Sequence, residues 1–358
     1  MKLSIVILNW NGSRLMQEYL PAVLTHSRGV EGVEVVVADN ASTDDSLSVL
    51  RRDFPEVRLI LLDRNYGFAE GYNRALQNVE SEYSLLLNSD VEPAAGWLPP
   101  LLDFMDAHPG FSACQPKIRS LRERSRFEFA GACGGWIDAY GYPFCRGRMM
   151  EVVEEDRGQY DTVSEIFWAT GAALLVRTAD FRALGGFDAR FFAHMEEIDF
   201  CWRLNALGKK IACVPQSVVY HLGGGTLNKS NPRKTFLNFR NNLWMLYKNL
   251  PESRLRPVLR VRLLLDYVAA LSFLLQGKWG DCRAVLRARR AFRASKAGFK
   301  ADRARLQREA TCANWPGFYP KSLLIAYYLK RITTFGKLFA GAFSESASPC
   351  PKSPGTLS

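Results

Sequence analysis

The sequence predicts an α/β fold, in which an open and largely parallel sheet is followed by a basic helical region. Apolar, β-branched runs recur at residues 3–8, 33–38, 57–62 and 83–87. Continuous runs of this kind are typical of strands that are buried on both faces. Helix-like stretches separate the runs, at about 14–26, 44–53 and 69–79. Regular alternation of strand and helix is typical of open α/β sheets.

Charge is distributed unevenly along the 358-residue chain. Residues 1–225 hold 22 Lys and Arg against 30 Asp and Glu, whereas residues 226–358 hold 25 against 6. An acidic front part suits a site that holds cations, and a basic rear part suits an anionic surface. No nucleic acid is expected as a partner, because a nucleic-acid-binding protein would more often carry its positive charge on the recognition fold.

Several protein classes lack their sequence signals. The eight cysteines are scattered with no C-x-x-C pair, which disfavours zinc-ribbon and thioredoxin-like sites and favours reduced, buried thiols. No G-x-G-x-x-G follows the first apolar run and no G-x-x-x-x-G-K-[ST] occurs. The absence of these phosphate-binding motifs disfavours a dehydrogenase and a P-loop NTPase. The apolar runs are also too short for a signal-peptide core or a membrane-spanning helix.

Polar residues follow all four predicted strands. Ligands of open α/β sheets bind beyond the carboxyl ends of the strands. The positions there are held by Asn9 and Asn11, by Asp39 and Asn40, by Asn65 and Gly67, and by Asn88 and Asp90. Each residue by itself is also common in turns, but four such strand ends together predict one polar crevice.

An ordered set of motifs extends these strand ends over residues 3–250. The set comprises IVILNWN (5–11), VADNASTD (37–44), NYGFA (65–69), LNSD (87–90), WATGA (168–172), GGFD (185–188), MEEIDFCWR (195–203) and His221. It resembles the inverting family 2 glycosyltransferases with the GT-A fold, in their rhamnosyltransferase-like branch. The resemblance implies a Rossmann-like core that binds a nucleotide sugar, which we place at residues 1–250. A basic helical region is expected at 251–343 and a disordered tail at 344–358.

The resemblance implies donor-binding roles for the first three strand ends. Asp39 resembles the family residue that accepts a hydrogen bond from the N3–H of uracil or thymine, and an Asx-turn is its structural alternative. Asn9 and Asn11 would contribute contacts to the base or the ribose. Asn65 and Gly67 would line the same rim.

The fourth strand end resembles the family's metal-binding D-x-D motif, with Asn88 in place of its first acid. Asp90 is the predicted ligand of Mn²⁺ or Mg²⁺, because these ions take carboxylate oxygens and leave positions open for phosphates. His221 is the second predicted ligand, and its imidazole favours Mn²⁺. Asn88 is expected to hydrogen-bond a sugar hydroxyl, and the glycines at 223–225 predict a lid over the phosphates.

The acidic stretch at 196–199 contains the predicted catalytic base. The family's E-D-x-D stretch has its general base at the second acid, and Glu197 stands there, a departure from Asp. Asp199 and Glu196 remain alternatives. In the competing interpretation these acids bind Arg203 and stabilise the N-terminus of their helix.

Two further segments resemble substrate-binding parts of the family. Trp168, Thr170 and Gly171 match the floor on the acceptor side, where the indole of Trp168 suits either stacking on a sugar or a place in the core. Arg240 lies in a segment that resembles the family's Arg-Asn helix and would neutralise the donor diphosphate.

These residues predict an inverting, metal-dependent sugar transfer from a UDP- or dTDP-linked donor. The acceptor would be a hydroxyl of a glycan or of a lipid-linked saccharide, in the assembly of a cell-surface polysaccharide. A processive synthase is disfavoured, because spanning helices and the Q-x-x-R-W signature are absent from the sequence. The alternative is a catalytically idle scaffold that binds a nucleotide sugar, motivated by the departures at Asn88 and Glu197.

The rear part predicts a surface for an anionic partner. Val285, Phe292, Phe299 and Leu306 are seven residues apart in an arginine-rich stretch, as on a helix with a narrow apolar stripe. With the apolar runs at 263–275 and 323–343, this pattern favours a helical region that lies on an anionic membrane. The protein is then expected in the cytoplasm, peripheral on the inner face of the cytoplasmic membrane. A homodimer interface is the alternative.

Overall fold

A computed structural model describes residues 1–223 and 231–340, and its front part alternates strand and helix as predicted. The elements are β1 (Leu3–Asn9), α1 (Ser13–Ser27), β2 (Val33–Asp39), α2 (Ser46–Asp53), β3 (Arg58–Leu61), α3 (Gly67–Gln77) and β4 (Tyr83–Leu87). β1 lies between β2 and β4 and β3 follows β2, all in parallel. The predicted parallel sheet is therefore confirmed. Most of the predicted glycine lid and the whole tail at 344–358 lie outside the described residues.

Strands of both directions extend this sheet on the β4 side. The elements that follow are β5 (Val91–Pro93), α4 (Leu98–Ala107), β6 (Phe111–Ser120), β7 (Gly135–Asp138), β8 (Pro143–Cys145), β9 (Arg148–Met149), β10 (Val152–Val153), β11 (Ser164–Glu165), β12 (Ala173–Arg177), α5 (Thr178–Ala183), α6 (Glu196–Ala206) and β13 (Lys210–His221). The strand order is β11-β13-β6-β12-β4-β1-β2-β3, with β5 beside β13. β6 and β13 pair in parallel, whereas β5 and β11 run antiparallel to β13, and β12 runs antiparallel to both of its neighbours, β4 and β6.

The central strands are buried because both faces of the sheet are covered. In β1 the side chain of Val6 enters one apolar core, whereas Ile5 and Ile7 enter a second core. Successive side chains of a strand point to opposite faces, so these two cores lie on the two sides of the sheet. This arrangement explains why β1 reads as a continuous apolar run and not as an alternating one.

The rear part is helical, as predicted. It contains α7 (Pro232–Asn249), α8 (Glu252–Leu275), α9 (Trp279–Ser295), α10 (Lys300–Glu309), β14 (Phe318–Tyr319) and α11 (Phe335–Phe339). A 3-10 turn at Lys296–Phe299 separates α9 from α10, so the arginine-rich stretch is not one continuous helix. Among the described residues, no helix combines the length and the apolar character that crossing a membrane requires.

The apolar stripe of the arginine-rich stretch faces the protein. Val285, Phe292, Phe299 and Leu306 are all buried. The rings of Phe292 and Phe299 pack on α7, with centroids 6.2 Å from Tyr247 and 5.0 Å from Trp244. The seven-residue spacing therefore marks helix packing, and any surface that contacts a partner must lie elsewhere on this region.

The end of the rear part shares a core with the front part. β14 pairs in parallel with β7, in a second sheet of order β10-β9-β8-β7-β14. The ring of Phe335 packs on Trp136, with centroids 5.1 Å apart. The boundary that we predict at residue 250 falls between α7 and α8, and the chain beyond it returns to complete the second sheet.

A buried ion cluster joins α8 to α9. The carboxylate of Asp266 is fully buried and lies 3.1 Å from Arg262 Nη2 and 2.5 Å from Arg289 Nη1. Both guanidinium groups are themselves buried. The single carboxylate therefore compensates two buried cations.

We expect Asp266→Ala to lower the free energy of unfolding by about 3–5 kcal/mol, because it leaves two buried cations without their carboxylate. Glu309→Ala is the matched control, since it removes an exposed carboxylate 3.3 Å from Arg305, a kind of pair worth about 0–1 kcal/mol. Urea unfolding measures both variants. Similar losses for the two would contradict a structural role for the buried cluster.

Candidate active site

The ends of β1 and β2 meet in a buried hydrogen-bonded group around Asp39. One carboxylate oxygen of Asp39 accepts from Asn9 Nδ2 at 3.0 Å, and the other accepts from the backbone N–H of Ser42 at 2.9 Å. Asn11 Oδ1 accepts from the backbone N–H of Thr43 at 2.7 Å. Asn9 Oδ1 is buried without a partner. Asn11 therefore fixes the loop, whereas Asn9 keeps an unused acceptor.

The end of β3 forms a tight turn into α3. Asn65 Oδ1 accepts from the backbone N–H of Gly67 at 2.8 Å, and Asn40 Nδ2 donates to the carbonyl of Gly67 at 3.0 Å. Gly67 has a φ of +75°, and a Cβ there would lie 2.5 Å from the ring of Phe192. A glycine is required at this turn, both for its left-handed backbone and for the ring above it.

The predicted metal ligands lie together at the ends of β4 and β13. His221 Nε2 lies 3.1 Å from Asp90 Oδ1 and 3.4 Å from Asn88 Nδ2, and Asp90 and His221 are both buried. Burial by itself lowers the pKa of His221, but hydrogen bonds to Asp90 and Glu128 outweigh it and raise this pKa to about 10. Burial likewise raises the pKa of Asp90, and the hydrogen bond from His221 holds it below the usual value.

Glu128 is a member of this group that the sequence analysis missed. Its Oε2 lies 3.5 Å from His221 Nδ1, on the side of the ring away from Asp90. Glu128 stands in no motif, and it reaches His221 because the chain turns back after β6 and the Glu128 N–H bonds the Ile118 carbonyl at 3.0 Å. A carboxylate on the second nitrogen commonly orients a metal-binding histidine.

The distance between Asp90 and His221 is compatible with a shared cation. An octahedral ion about 2.1 Å from its ligands separates neighbouring ligand atoms by about 3.0 Å, and the two atoms here are 3.1 Å apart. Among residues 1–223 and 231–340, no cluster of three or more His, Cys, Asp or Glu is placed to hold a metal ion. The described chain thus offers two ligands and leaves the remaining positions to phosphate or water.

Glu196 and Glu197 begin α6 after a loop of unusual backbone conformation. His194 and Met195, directly before the helix, both have a φ of +71°, and such conformations cluster at functional sites. Burial raises the pKa of Glu197 to about 7. Burial, and then the charge of Glu197, raise the pKa of Glu196 well above its usual value. Each carboxyl has an Oε2 without a hydrogen-bond partner.

Asp199 lies in a different environment, although it is only two residues away from Glu197. It is fully buried and accepts hydrogen bonds from Arg203 Nε at 3.0 Å, Lys248 Nζ at 2.8 Å and Asn249 Nδ2 at 2.8 Å. These three donors occupy both carboxylate oxygens and tie α6 to α7. This occupancy argues against Asp199 as the base and favours a structural role.

In the segment before β12, some residues lie in the core and one faces the site. Trp168 is buried, and its indole N–H donates to the Trp136 carbonyl at 2.9 Å, so it offers no open face for a sugar. Thr170 is also buried and donates to the Ala130 carbonyl at 2.8 Å. Gly171 faces the site, since a Cβ there would lie 3.1 Å from the Phe68 ring and 3.9 Å from Glu197 Cβ.

Arg240 of α7 provides a half-buried cation beside the loop that precedes α6. Its guanidinium lies 4.0 Å from the centroid of Trp244 and donates to the Phe191 carbonyl at 3.3 Å. Burial lowers the pKa of Arg240 to about 10, which leaves it charged at neutral pH. Within the described part of the chain it forms no ion pair with a carboxylate, and it is therefore suited to an external anion.

Short contacts connect these groups into one region. The Asn88 N–H bonds the Ala172 carbonyl at 3.0 Å, which places the metal ligands beside the segment that touches Glu197. Gly171 faces Phe68 of α3, next to Gly67 and its hydrogen bond from Asn40. The predicted strand ends therefore meet at one edge of the sheet, with Trp168 and Thr170 behind it.

This sheet, with its acidic and amide groups at the strand ends, has the GT-A fold of glycosyltransferases. Staphylococcus aureus TarS in complex with UDP-GlcNAc is similar with a TM-score of 0.52 and 17% identity, over 86% of this chain and 91% of that one. GalNAc-T7 with UDP, GalNAc and Mn²⁺ is similar with a TM-score of 0.53 and 15% identity, over 69% and 48%. These similarities confirm the predicted fold.

The sequence comparisons agree with the predicted family over part of the chain. Residues 4–153 match the model of glycosyl transferase family 2. The N-acetylglucosaminyl-diphospho-decaprenol L-rhamnosyltransferase of Mycobacterium tuberculosis is 28% identical over 204 residues, which cover 53% of this chain and 66% of that relative. The chain is thus similar to family 2 glycosyltransferases and to rhamnosyltransferases, as predicted. The roles of its individual residues remain predictions.

We expect Gly67→Ala to weaken binding of a nucleoside diphosphate and to destabilise the fold, because its Cβ displaces Phe192 from the loop before α6. Gly96→Ala is the matched control, since Gly96 has a φ of +71° and no atom within 4 Å of the added Cβ. The free energy of unfolding of the control should fall only by about 1–2 kcal/mol, which is the cost of placing an alanine in the left-handed conformation. Calorimetric titration and urea unfolding give the two quantities. Equal stability losses with unchanged affinity would show that the contact with Phe192 is unimportant.

Proposed function

We propose that this protein transfers a sugar, with inversion, from a UDP- or dTDP-linked donor to a hydroxyl of a glycan or a lipid-linked saccharide. The proposal depends above all on Glu197. The residue is half-buried, and its carboxyl keeps a buried oxygen, Oε2, without a hydrogen-bond partner. It lies beside Gly171, whose segment bonds the strand end that carries Asp90. The proposed general base and the proposed leaving-group site thus lie on adjoining elements.

In the proposed reaction Glu197 removes the proton of the acceptor hydroxyl. The freed oxygen attacks the anomeric carbon from the side opposite the diphosphate, and the bond from that carbon to the donor phosphate oxygen breaks. The electron pair leaves on the nucleoside diphosphate. One displacement inverts the anomeric configuration. The pKa of about 7 suits a base at neutral pH, because such a group is both available and basic.

Glu196 is the weaker candidate for the base. Burial and the charge of Glu197 raise the pKa of Glu196 well above its usual value, which disfavours the ionised form that a base needs. The two neighbouring carboxyls also disfavour simultaneous ionisation, since like charges repel.

The leaving diphosphate would be held by Asp90, His221 and Arg240. A bound Mn²⁺ or Mg²⁺ at Asp90 and His221 would neutralise charge that develops on the phosphate oxygens. Arg240 would pair with a phosphate through its charged guanidinium. Glu128 would orient the His221 ring through Nδ1.

Base recognition is proposed for Asp39 and Asn9. Both Asp39 oxygens already accept one hydrogen bond, and a carboxylate oxygen has a second lone pair available. Asn9 Oδ1 is a buried acceptor without a partner beside it. An acceptor in this position favours bases with an N3–H, such as uracil and thymine.

The name of one relative supports the proposed acceptor class. The mycobacterial relative is named for an acceptor on decaprenol diphosphate, and the chain covers 66% of its length. We infer a role in the assembly of a cell-surface polysaccharide, with a lipid-linked saccharide as the favoured acceptor.

We expect Glu197→Gln to reduce sugar transfer by about 10²–10⁴-fold, the usual contribution of a general base, with donor affinity unchanged. Glu196→Gln is the control, because it makes the same change in the neighbouring carboxyl, which is not the proposed base. Initial rates of nucleoside diphosphate release with a panel of acceptors measure the effect.

The pH dependence of kcat/KM tests the same assignment. A base must be ionised, so the rate should fall tenfold per pH unit below the Glu197 pKa of about 7 and level off above it. Loss of activity in Glu196→Gln together with full activity in Glu197→Gln would exchange the two roles.

We expect His221→Ala to weaken Mn²⁺-dependent binding of a nucleoside diphosphate by about 10–100-fold or more. Loss of a residue that only orients a metal ligand already has an effect of this size. His26→Ala, a half-buried histidine at the end of α1, is the control. Calorimetric titration with Mn²⁺ and with EDTA measures the effect without any turnover. Equal affinity of wild type and His221→Ala in the presence of Mn²⁺ would remove His221 from the metal site.

The second candidate function is a catalytically idle scaffold that binds a nucleotide sugar. Asn88 favours it, because an amide replaces the first acid of the family's motif and contacts His221. Donor binding without release of nucleoside diphosphate, on every acceptor tested, would support the scaffold.

A further inference from the structure

One face of α8 exposes a continuous row of apolar side chains, which we call the α8 ridge. It consists of Leu264, Tyr267, Val268, Leu271 and Leu275. At 3.6 residues per turn these positions fall within an arc of about 100° and extend for about 16 Å along the helix. Leu264 is 66% exposed and Leu275 is 80% exposed. Soluble proteins rarely leave large apolar side chains in such a row without a partner.

The ridge is not needed for the core of the protein. The opposite side of α8 already packs inward through Leu255, Val258 and Ala270, and holds the buried cluster of Asp266 with its two arginines. α8 is therefore apolar on two sides, and only one of them is covered.

The stretch that contains the ridge is strongly cationic, although α8 begins with the exposed Glu252. Asp266 and Asp281 are the only acidic residues between 253 and 301, and both are buried. The exposed basic residues of this stretch are Arg256, Arg260, Lys278, Arg283, Arg287, Arg290, Arg293, Lys296 and Lys300. An apolar row bordered by cations is complementary to a membrane surface, which has anionic headgroups above an apolar interior.

The ridge leads towards the candidate active site. Beyond its end, Trp279 is 62% exposed, and tryptophan favours the boundary between membrane and water. A Cβ on the adjacent Gly280 would lie 2.8 Å from Pro232, and Thr235 donates to Asp281 at 2.6 Å, so this end adjoins the first turn of α7. α7 also carries Asn241, whose amide donates at 2.8 Å to the carbonyl of His194, two residues before Glu196.

We propose that the α8 ridge lies in the headgroup region of an anionic lipid bilayer, with Trp279 and the surrounding cations at the same level. α8 then lies along the surface and does not cross it, since its inner side carries the buried Arg262 and Asp266. The active site would face an acceptor held at that surface, and this last clause rests on the function proposed above. This assignment replaces the arginine-rich stripe, whose apolar residues are buried, as the membrane-contacting element.

Vesicle flotation with the full chain tests the proposal. We expect the protein to float with phosphatidylcholine vesicles that contain phosphatidylglycerol and to stay at the bottom with phosphatidylcholine alone. Leu264→Ser/Leu271→Ser/Leu275→Ser should lose flotation. The matched control is Trp10→Ser/Leu61→Ser/Val163→Ser, which changes three exposed apolar residues of the front part and should float like wild type. No flotation of wild type, or equal flotation of the two triple variants, would overturn the proposal.

Charge removal gives a second, graded readout. Arg256→Gln/Arg260→Gln should weaken binding to anionic vesicles by about fivefold for each charge removed. This factor corresponds to the about 1 kcal/mol of binding free energy that each basic residue near the membrane surface contributes. Arg14→Gln/Arg28→Gln removes two exposed arginines of the front part and should leave binding unchanged. Equal weakening by the two pairs would reduce the effect to net charge and contradict a defined surface.

Two further measurements separate the competing explanations. Light scattering of wild type and of the ridge variant reports the oligomeric state. If wild type is a dimer that does not bind vesicles, and the ridge variant is a monomer, the ridge contacts a second copy of the chain. Metal-dependent release of nucleoside diphosphate with a soluble acceptor should be equal in wild type and in the ridge variant. Flotation without any such release would leave the ridge proposal intact and contradict the proposed transfer.

Discussion

The buried carboxylate of Asp199 is the interaction on which the arrangement of the site depends. A fully buried carboxylate is costly unless cations and hydrogen-bond donors surround it, and Arg203, Lys248 and Asn249 meet this requirement. Two of these donors belong to α7, so α6 and α7 can adopt only one relative position. That position leaves Glu197 beside Gly171 and brings Arg240 of α7 to the loop before α6.

The site then keeps its acids in two different states. Asp90 pairs with His221 and stays ionised, as the lowered pKa of Asp90 and the raised pKa of His221 indicate. Burial raises the pKa of both Glu196 and Glu197. Asp90 is therefore available as an anionic metal ligand, which His221 can join only after it loses its proton, and Glu197 is suited to exchanging a proton near neutral pH.

The basic rear part combines two roles that its composition could not separate. Its apolar residues fall into an inner set, which packs α9 and α10 on α7, and an outer set, which forms the α8 ridge. Its cations divide in the same way, because Arg262 and Arg289 are buried around Asp266 while the arginines near the ridge face solvent. Net charge alone would have assigned all of them to one surface.

Sequence patterns alone predicted the parallel half of the sheet, the strand ends that carry Asp39 and Asp90, and the similarity to family 2 glycosyltransferases. These features are local, since they follow from apolar runs of strand length and from motifs within a few residues. Only the tertiary structure decided that Asp199 is held by α7, that Trp168 is buried, that Glu128 contacts His221 and that α8 exposes its ridge. Each of these depends on residues 32 to 93 positions apart or on which side of a helix is covered. Chain folding sets such distances, and spacing along the sequence does not.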